Sequence, residues 1–282
     1  MLTQPLPDLA AWSQYLTGRP IPVLPDTAEE LSLLAEVEAR HGTVDAHLID
    51  EAVGGDPLMT LQVLTHVSRH RADRQVTDVH TVTAAVVLMG IGPFFQIFSP
   101  PLVLDDHLDA HPKAVTEIHR LIRRSWCAAR LVTEFALLHA DGHASALQKA
   151  ALLHGHADIL LWCHAPALAQ AVHERCEQDP AQDRPHHERA VLNIELRALE
   201  HQLARDWGLP ATLRRLTDPD DTRAKVLLQP QRRLLELALT LADRLDRESP
   251  QATLTLEELE ELSTLLTLST PSVQRLIDNT LA

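Results

Sequence analysis

Glycine and aromatic side chains are scarce in this chain of 282 residues: it has nine glycines, four tryptophans, four phenylalanines and one tyrosine. Sandwiches and barrels draw their turns and cross-strand pairs from those residues, so the shortage argues against both. Cysteine is sparse too. Cys127, Cys163 and Cys176 are odd in number and lack CxxC spacing, as expected of reduced thiols in a cytoplasmic protein. Basic residues are outnumbered, 25 against 39 acidic ones, for a formal charge of −14. Nucleic acids and anionic membranes are bound mainly through clustered Lys and Arg, so neither is expected as a partner. No run reaches the roughly 18 uncharged apolar residues that span a bilayer. The nearest, residues 79–98, is broken by His80, Thr81, Thr83, Gly90, Gly92 and Pro93 and reads as a buried helix and its end. Residues 1–10 have neither a basic residue nor a long apolar run, so no signal peptide is expected. A GxGxxG loop, a GKS or GKT loop and a nucleophilic triad are all missing, which removes the common nucleotide and acyl-transfer signatures.

What the chain does contain is 45% hydrophobic residues, dominated by the helix-compatible Leu, Ala and Val. An all-α fold is expected, as one large domain or two modest ones, long enough to hold a core without staples. Seventeen histidines stand out. With about a quarter of exposed imidazoles protonated at pH 7, the working charge is about −10. The surplus raises metal binding, catalysis and pH sensing as candidates, against a mere compositional habit.

Pro5, Pro7, Pro20 and Pro22 confine residues 1–24 to short helical or extended pieces. Pro25 then opens a helix that Asp26 or Thr27 can cap, with Leu31, Leu34 and Val37 as its apolar stripe, ending at His41-Gly42. A short helix over 44–53 stops at Gly54-Gly55, and Asp56-Pro57 starts another, with Asp56 as N-cap. One more runs over 80–89. Residues 99–112, rich in Pro, Asp and His, form the best internal boundary. A long helix over 113–140 follows, with Val115, Ile118, Ile122, Trp126, Ala129 and Val132 facing inward. Further helical segments cover 146–161, 166–176, 187–207, 211–216, 230–247, 256–266 and 271–281. The close punctuation predicts a compact multi-helical bundle with angled packing, and two packed lobes would meet at a cleft near the break at 99–112.

The order of short motifs resembles a known family, the HDOD domain, the HD-related output domain of bacterial signalling proteins. It runs through Ile21-Pro22-Val23-Leu24-Pro25, Asp56-Pro57-Leu58, the helix with Leu61 and Leu64, and the segment from Val76 that ends in Met89-Gly90. It continues through Ser125-Trp126, Ala151-Leu152-Leu153-His154, Trp207-Gly208-Leu209-Pro210 and Leu241-Ala242-Asp243. The ordered series carries the resemblance, since each string alone is common. On this reading residues 1–19 form an N-terminal arm, 20–250 an HDOD-like domain with lobes about 20–100 and 113–250, and 251–282 a C-terminal helical extension.

The wider HD superfamily is one of helical phosphohydrolases whose metal is held by a His, an adjacent His-Asp pair and a later Asp. Such a donor set lowers the pKa of bound water and steadies phosphoryl oxygens. By position, the resemblance puts the pair on His154-Gly155, the early His near Ala128 and the last Asp on Asp243. Two of four ligands are therefore lost, and no metal, cofactor or catalytic residue is expected. Glu200 and Leu196 stand where the family usually has Gly and His, and Val67-Ser68 where it has Asn-Ser.

Other residues have a functional and a plain reading. His154 and His156, two apart, cannot share an ion on a helix, whereas His154 and Asp158 would face together there. His186-His187 reads as solvated loop, and Trp126 and Trp207 as core. The basic cluster Arg120, Arg123 and Arg124 is a candidate phosphate or partner-carboxylate site, against surface ion pairing with the Asp105, Asp106 and Asp109 region. The resemblance implies a non-catalytic signal-transduction module acting through contact with a kinase, cyclase or phosphodiesterase, or through self-association. The alternatives are a metal-dependent phosphohydrolase with a rearranged site built from His154, Asp158, Asp243 and another histidine, or a nucleotide-binding sensor using the arginine cluster.

Overall fold

The computed structural model describes residues 1–70, 79–139, 142–218, 221, 226–247 and 253–281. The start of the expected segment at Val76, the end of the long helix at Ala140 and the boundary between residues 250 and 251 lie outside them. Every regular element among the described residues is a helix. An isolated parallel bridge joins Val23 to Val103, where Val23 N donates to Leu102 O and Leu104 N to Val23 O, each at 2.8 Å. The all-α expectation holds.

The chain divides into two compact units, Met1–Leu121 with Gly155–Pro210, and Ile122–His154 with Ala211–Ala282. The Pro-rich stretch 99–112 lies inside the first unit, and the passage to the second falls within one helix.

The first unit begins with α1 (Leu9–Thr17), α2 (Pro25–His41), α3 (Ala46–Val53) and α4 (Pro57–Arg69), followed by α5 (Val82–Met89), α6 (Ile91–Phe98) and α7 (Leu104–His107). Residues 1–19, expected as an arm, give Trp12 and Leu16 to the core; α1 packs on α13 (Leu196–Asp206), and the Trp12 indole donates to Leu192 O at 2.9 Å. Asp45 caps α3 and Asp56 caps α4, each accepting from two backbone amides, as short polar side chains do for the orphan donors of a first turn. Asp56 also accepts from Leu24 N at 2.9 Å, so one buried carboxylate starts α4 and fixes the entry to α2. Burial pushes the Asp56 carboxyl up, opposed by those same amide bonds. The expected cap of α2 is corrected. Helix α2 starts at Pro25, whose fixed φ suits the first position, with Leu24 before it making no side-chain bond, and Asp26 sits inside the first turn. It ends on Gly42 in the left-handed region at φ 63°, where a side chain would be strained. Around these elements Val23, Leu31, Ile49, Met59, Val63, Val86, Phe94 and Phe98 form one apolar cluster.

The rest of this unit is the start of α8 (Pro112–Leu138), α10 (His156–His164), α11 (Pro166–Gln178), α12 (Arg184–Leu192) and α13. The second unit takes α8 from Ile122, then α9 (Ala144–Leu152), α14 (Ala211–Thr217), α15 (Gln229–Arg247), α16 (Leu256–Leu266) and α17 (Thr270–Leu281). Helix α9 packs on α14 and α15, and α16 on α15 and α17. Two two-pronged ion pairs hold α16 to α15: Arg233 with Glu261 at 2.6 and 2.7 Å, and Arg244 with Glu258 at 2.5 and 2.9 Å.

The buried stripe of α8 is Ile118, Leu121, Ile122, Ser125, Ala128, Leu131, Val132 and Phe135. Trp126, expected to face inward, is 41% exposed, because the inward register passes through Ser125 and Ala128 instead.

Candidate functional site

Residues 124, 125 and 128 lie within about one turn of α8 and meet the positions that the HD-type site would use. Arg124 Nη1 donates to Asp243 Oδ1 on α15 at 2.9 Å, and Arg247 Nε, one turn further along α15, reaches the same oxygen at 3.0 Å. The Ser125 hydroxyl donates to His154 O at 3.3 Å. Ala128 is fully buried and offers only a methyl group where the early His would stand. A divalent ion needs carboxylate lone pairs and imidazole nitrogens directed at one point. Here the carboxylate carries two guanidinium groups and the early position has no donor atom, so these residues do not fit the ion. Among the described residues no three of His, Cys, Asp and Glu stand together as a metal site would require.

His154 lies in the turn after α9, and α10 begins only at His156, so the helical spacing argued for His154 and Asp158 does not apply. In the first unit, Gly155 takes the left-handed conformation at φ 80°, and its amide donates to Glu200 Oε2 at 2.9 Å. The residue after His154 is thus a glycine whose backbone is held by the buried carboxylate of Glu200.

Asp158 is occupied elsewhere in the same unit. Arg184 donates to Asp158 at 2.5 Å and to Glu188 at 2.8 Å, while the other oxygen of Glu188 accepts Leu196 N at 2.9 Å. Asp158 and Glu188 are both buried, so this network ties α10, α12 and α13 at the cost of desolvating three charges. The carboxylates hold the Arg184 guanidinium above its ordinary value against the opposing effect of its own burial. His187, expected in a solvated loop, is buried inside α12 with Nε2 donating to Asp179 O at 3.0 Å. His156 is buried too, its ring 5.9 Å from that of Trp207, which is core as expected.

The arginine cluster separates. Arg120 pairs with Glu117 one turn before it at 2.9 Å, and Arg124 turns to Asp243, while Arg123 is exposed. The partners shown are therefore Glu117 and Asp243, whereas Asp105 stands 3.9 Å from His119. Arg247 is not among the residues singled out in the sequence, and Glu200 stands out there only through the family resemblance. Asp243 and Arg247 are four apart on one helix, a spacing that pairs opposite charges, so that signal was present. The contact of Glu200 with Gly155 has no such signal, because the partner is a backbone amide.

Residues 21–220 match the HDOD domain family. The chain belongs to that family. Solved structures similar to it include the MmoQ response regulator from Methylococcus capsulatus str. Bath, at 18% identity and a TM-score of 0.66, covering 92% of this chain and 98% of that one. A virulence factor from Campylobacter jejuni subsp. jejuni aligns at 13% identity and a TM-score of 0.58, with 97% and 98% covered. An HDOD domain protein of unknown function from Geobacter sulfurreducens aligns at 14% identity and a TM-score of 0.50, with 96% and 94% covered. At these identities the likeness establishes the fold. No curated protein matches the chain. Among the described residues no helix is long and apolar enough to cross a membrane.

Proposed function

We propose that this HDOD protein is a non-catalytic regulatory module of signal transduction, which works in the cytoplasm by binding another protein. The observation that carries the reading is Asp243 held between Arg124 and Arg247. A carboxylate whose charge is balanced by two guanidinium groups is a poor ligand for an ion, and releasing it leaves Arg124, whose side chain is 14% exposed, without that partner. Ala128 and Gly155, at the other two altered positions, support the same conclusion. Family membership supplies the signalling context, and the similar fold of a response regulator agrees with it. The partner is a kinase, a cyclase or a phosphodiesterase, or a second copy of the chain.

The test has two arms. Purified protein is loaded with Mn²⁺ or Mg²⁺, analysed for bound metal and assayed against phosphodiester and nucleotide substrates; neither stoichiometric metal nor turnover is expected. Hydrolysis that disappears in Asp243→Ala overturns the reading. In the second arm the chain is added to kinases, cyclases and phosphodiesterases of its own organism and its self-association is measured. A changed output rate or a stable dimer is expected, and neither occurring also overturns it.

A further inference from the structure

His66 and His70 lie one helical turn apart at the C-terminal end of α4, a spacing that sets two side chains on the same face. Their rings are stacked, with centroids 4.1 Å apart and planes inclined by 26°. Nδ1 of His70 is 2.8 Å from the carbonyl oxygen of His66. A carbonyl only accepts, so Nδ1 carries the proton and the lone pair of a neutral His70 sits on Nε2, pointing away from the backbone. Metal-binding histidines are fixed in the same way, by giving the other ring N–H to a carbonyl or carboxylate. The His66 ring also meets that of Phe98 in an edge-to-face arrangement, with centroids 5.6 Å apart and planes inclined by 75°. His70 is exposed and His66 half-buried, so the outer face of the pair meets solvent.

We propose that His66 and His70 form a two-imidazole chelate for a late first-row divalent cation, with water in its remaining positions. Imidazole pairs suit Cu²⁺, Ni²⁺ and Zn²⁺, and among these Cu²⁺ binds most tightly. The hydrogen bond fixes His70, so binding turns the His66 ring out of the stack until both Nε2 atoms face one ion, and the α4 backbone stays in place. The site belongs to the first unit and is independent of the vestigial HD positions and of the regulatory reading, which stands or falls separately.

The full chain is loaded with half an equivalent of Cu²⁺, so that the tightest site fills first among seventeen histidines. Electron paramagnetic resonance is then compared for the native protein, His66→Gln, His70→Gln and the control His47→Gln. Superhyperfine splitting from two imidazole nitrogens is expected in the native protein and the control and is lost in the first two. Titration calorimetry in the same series is expected to show the tightest site weakened by at least about tenfold in His66→Gln and His70→Gln. Circular dichroism establishes that each variant is folded. Identical spectra and affinities in all four proteins, or splitting lost equally in His47→Gln, overturn the proposal.

Discussion

Arg124 reaches from α8 to Asp243 on α15 and takes the oxygen that Arg247 also takes, so one carboxylate ends two cationic side chains. Asp243 has 42% of its side chain exposed, and it keeps Arg247 if Arg124 is removed. Arg124→Met is therefore expected to lower stability by about 1 kcal/mol or less and to produce no metal-dependent hydrolysis. Urea denaturation with a phosphodiesterase assay checks both halves.

Glu200 differs in being buried and in receiving a backbone amide. Glu200→Ala leaves the Gly155 N–H without its acceptor, at a cost of about 1–3 kcal/mol in urea denaturation. Glu200→Gln keeps an acceptor oxygen and should cost clearly less. Equal losses for the two would show that the amide bond is unimportant.

The Asp158, Arg184 and Glu188 network should respond more severely. Arg184→Met strands two buried carboxylates, and a loss of about 3–5 kcal/mol is expected. The same denaturation series measures it. Replacing all three residues with apolar ones of similar volume should recover much of that loss, because no uncompensated charge remains.

His164 sets a pH dependence. It is buried at the end of α10, and burial, helped by His107 and Arg19, lowers its pKa from 6.5 to about 4. The folded state thus resists a proton that the unfolded chain accepts below about pH 6.5. Stability is full above that value, falls as pH drops toward about 4, and levels where the folded state also protonates. The loss is on the order of 3 kcal/mol at about 1.4 kcal/mol per unit. His164→Gln should flatten this part of the stability profile, as read from melts between pH 4 and 7.

Local signals gave much of the fold to the sequence reading, and long-range ones were lost to it. Asp56-Pro57 and Gly42 act within a few residues of themselves, so the start of α4 and the end of α2 could be read directly. The sequence offers Asp26 or Thr27 as the cap of α2, two or three residues beyond Leu24, which stands at the N-cap position and makes no side-chain bond. Trp126 and Ser125 are neighbours on α8, and which of them faces inward depends on what α8 packs against. His187 looked like loop because Pro185 and two acids precede or follow closely, yet Pro185 is simply near the start of α12. That Ala128 and Gly155 offer no ligand side chain is legible residue by residue. The replacement contacts were less so: Arg124 with Asp243 spans 119 positions and Gly155 with Glu200 spans 45.

The two units alternate along the chain, which passes between them after Leu121, His154 and Pro210. During synthesis the first unit cannot close until residue 210 has left the ribosome, although most of its residues emerge far earlier. At roughly 5–20 residues per second, α1 to α7 wait several seconds for α10 to α13. Throughout that interval Trp12, whose indole is later covered beside Leu192, is exposed to whatever binds nascent apolar segments. A fragment ending at any of these three passages therefore carries at least one unit unfinished.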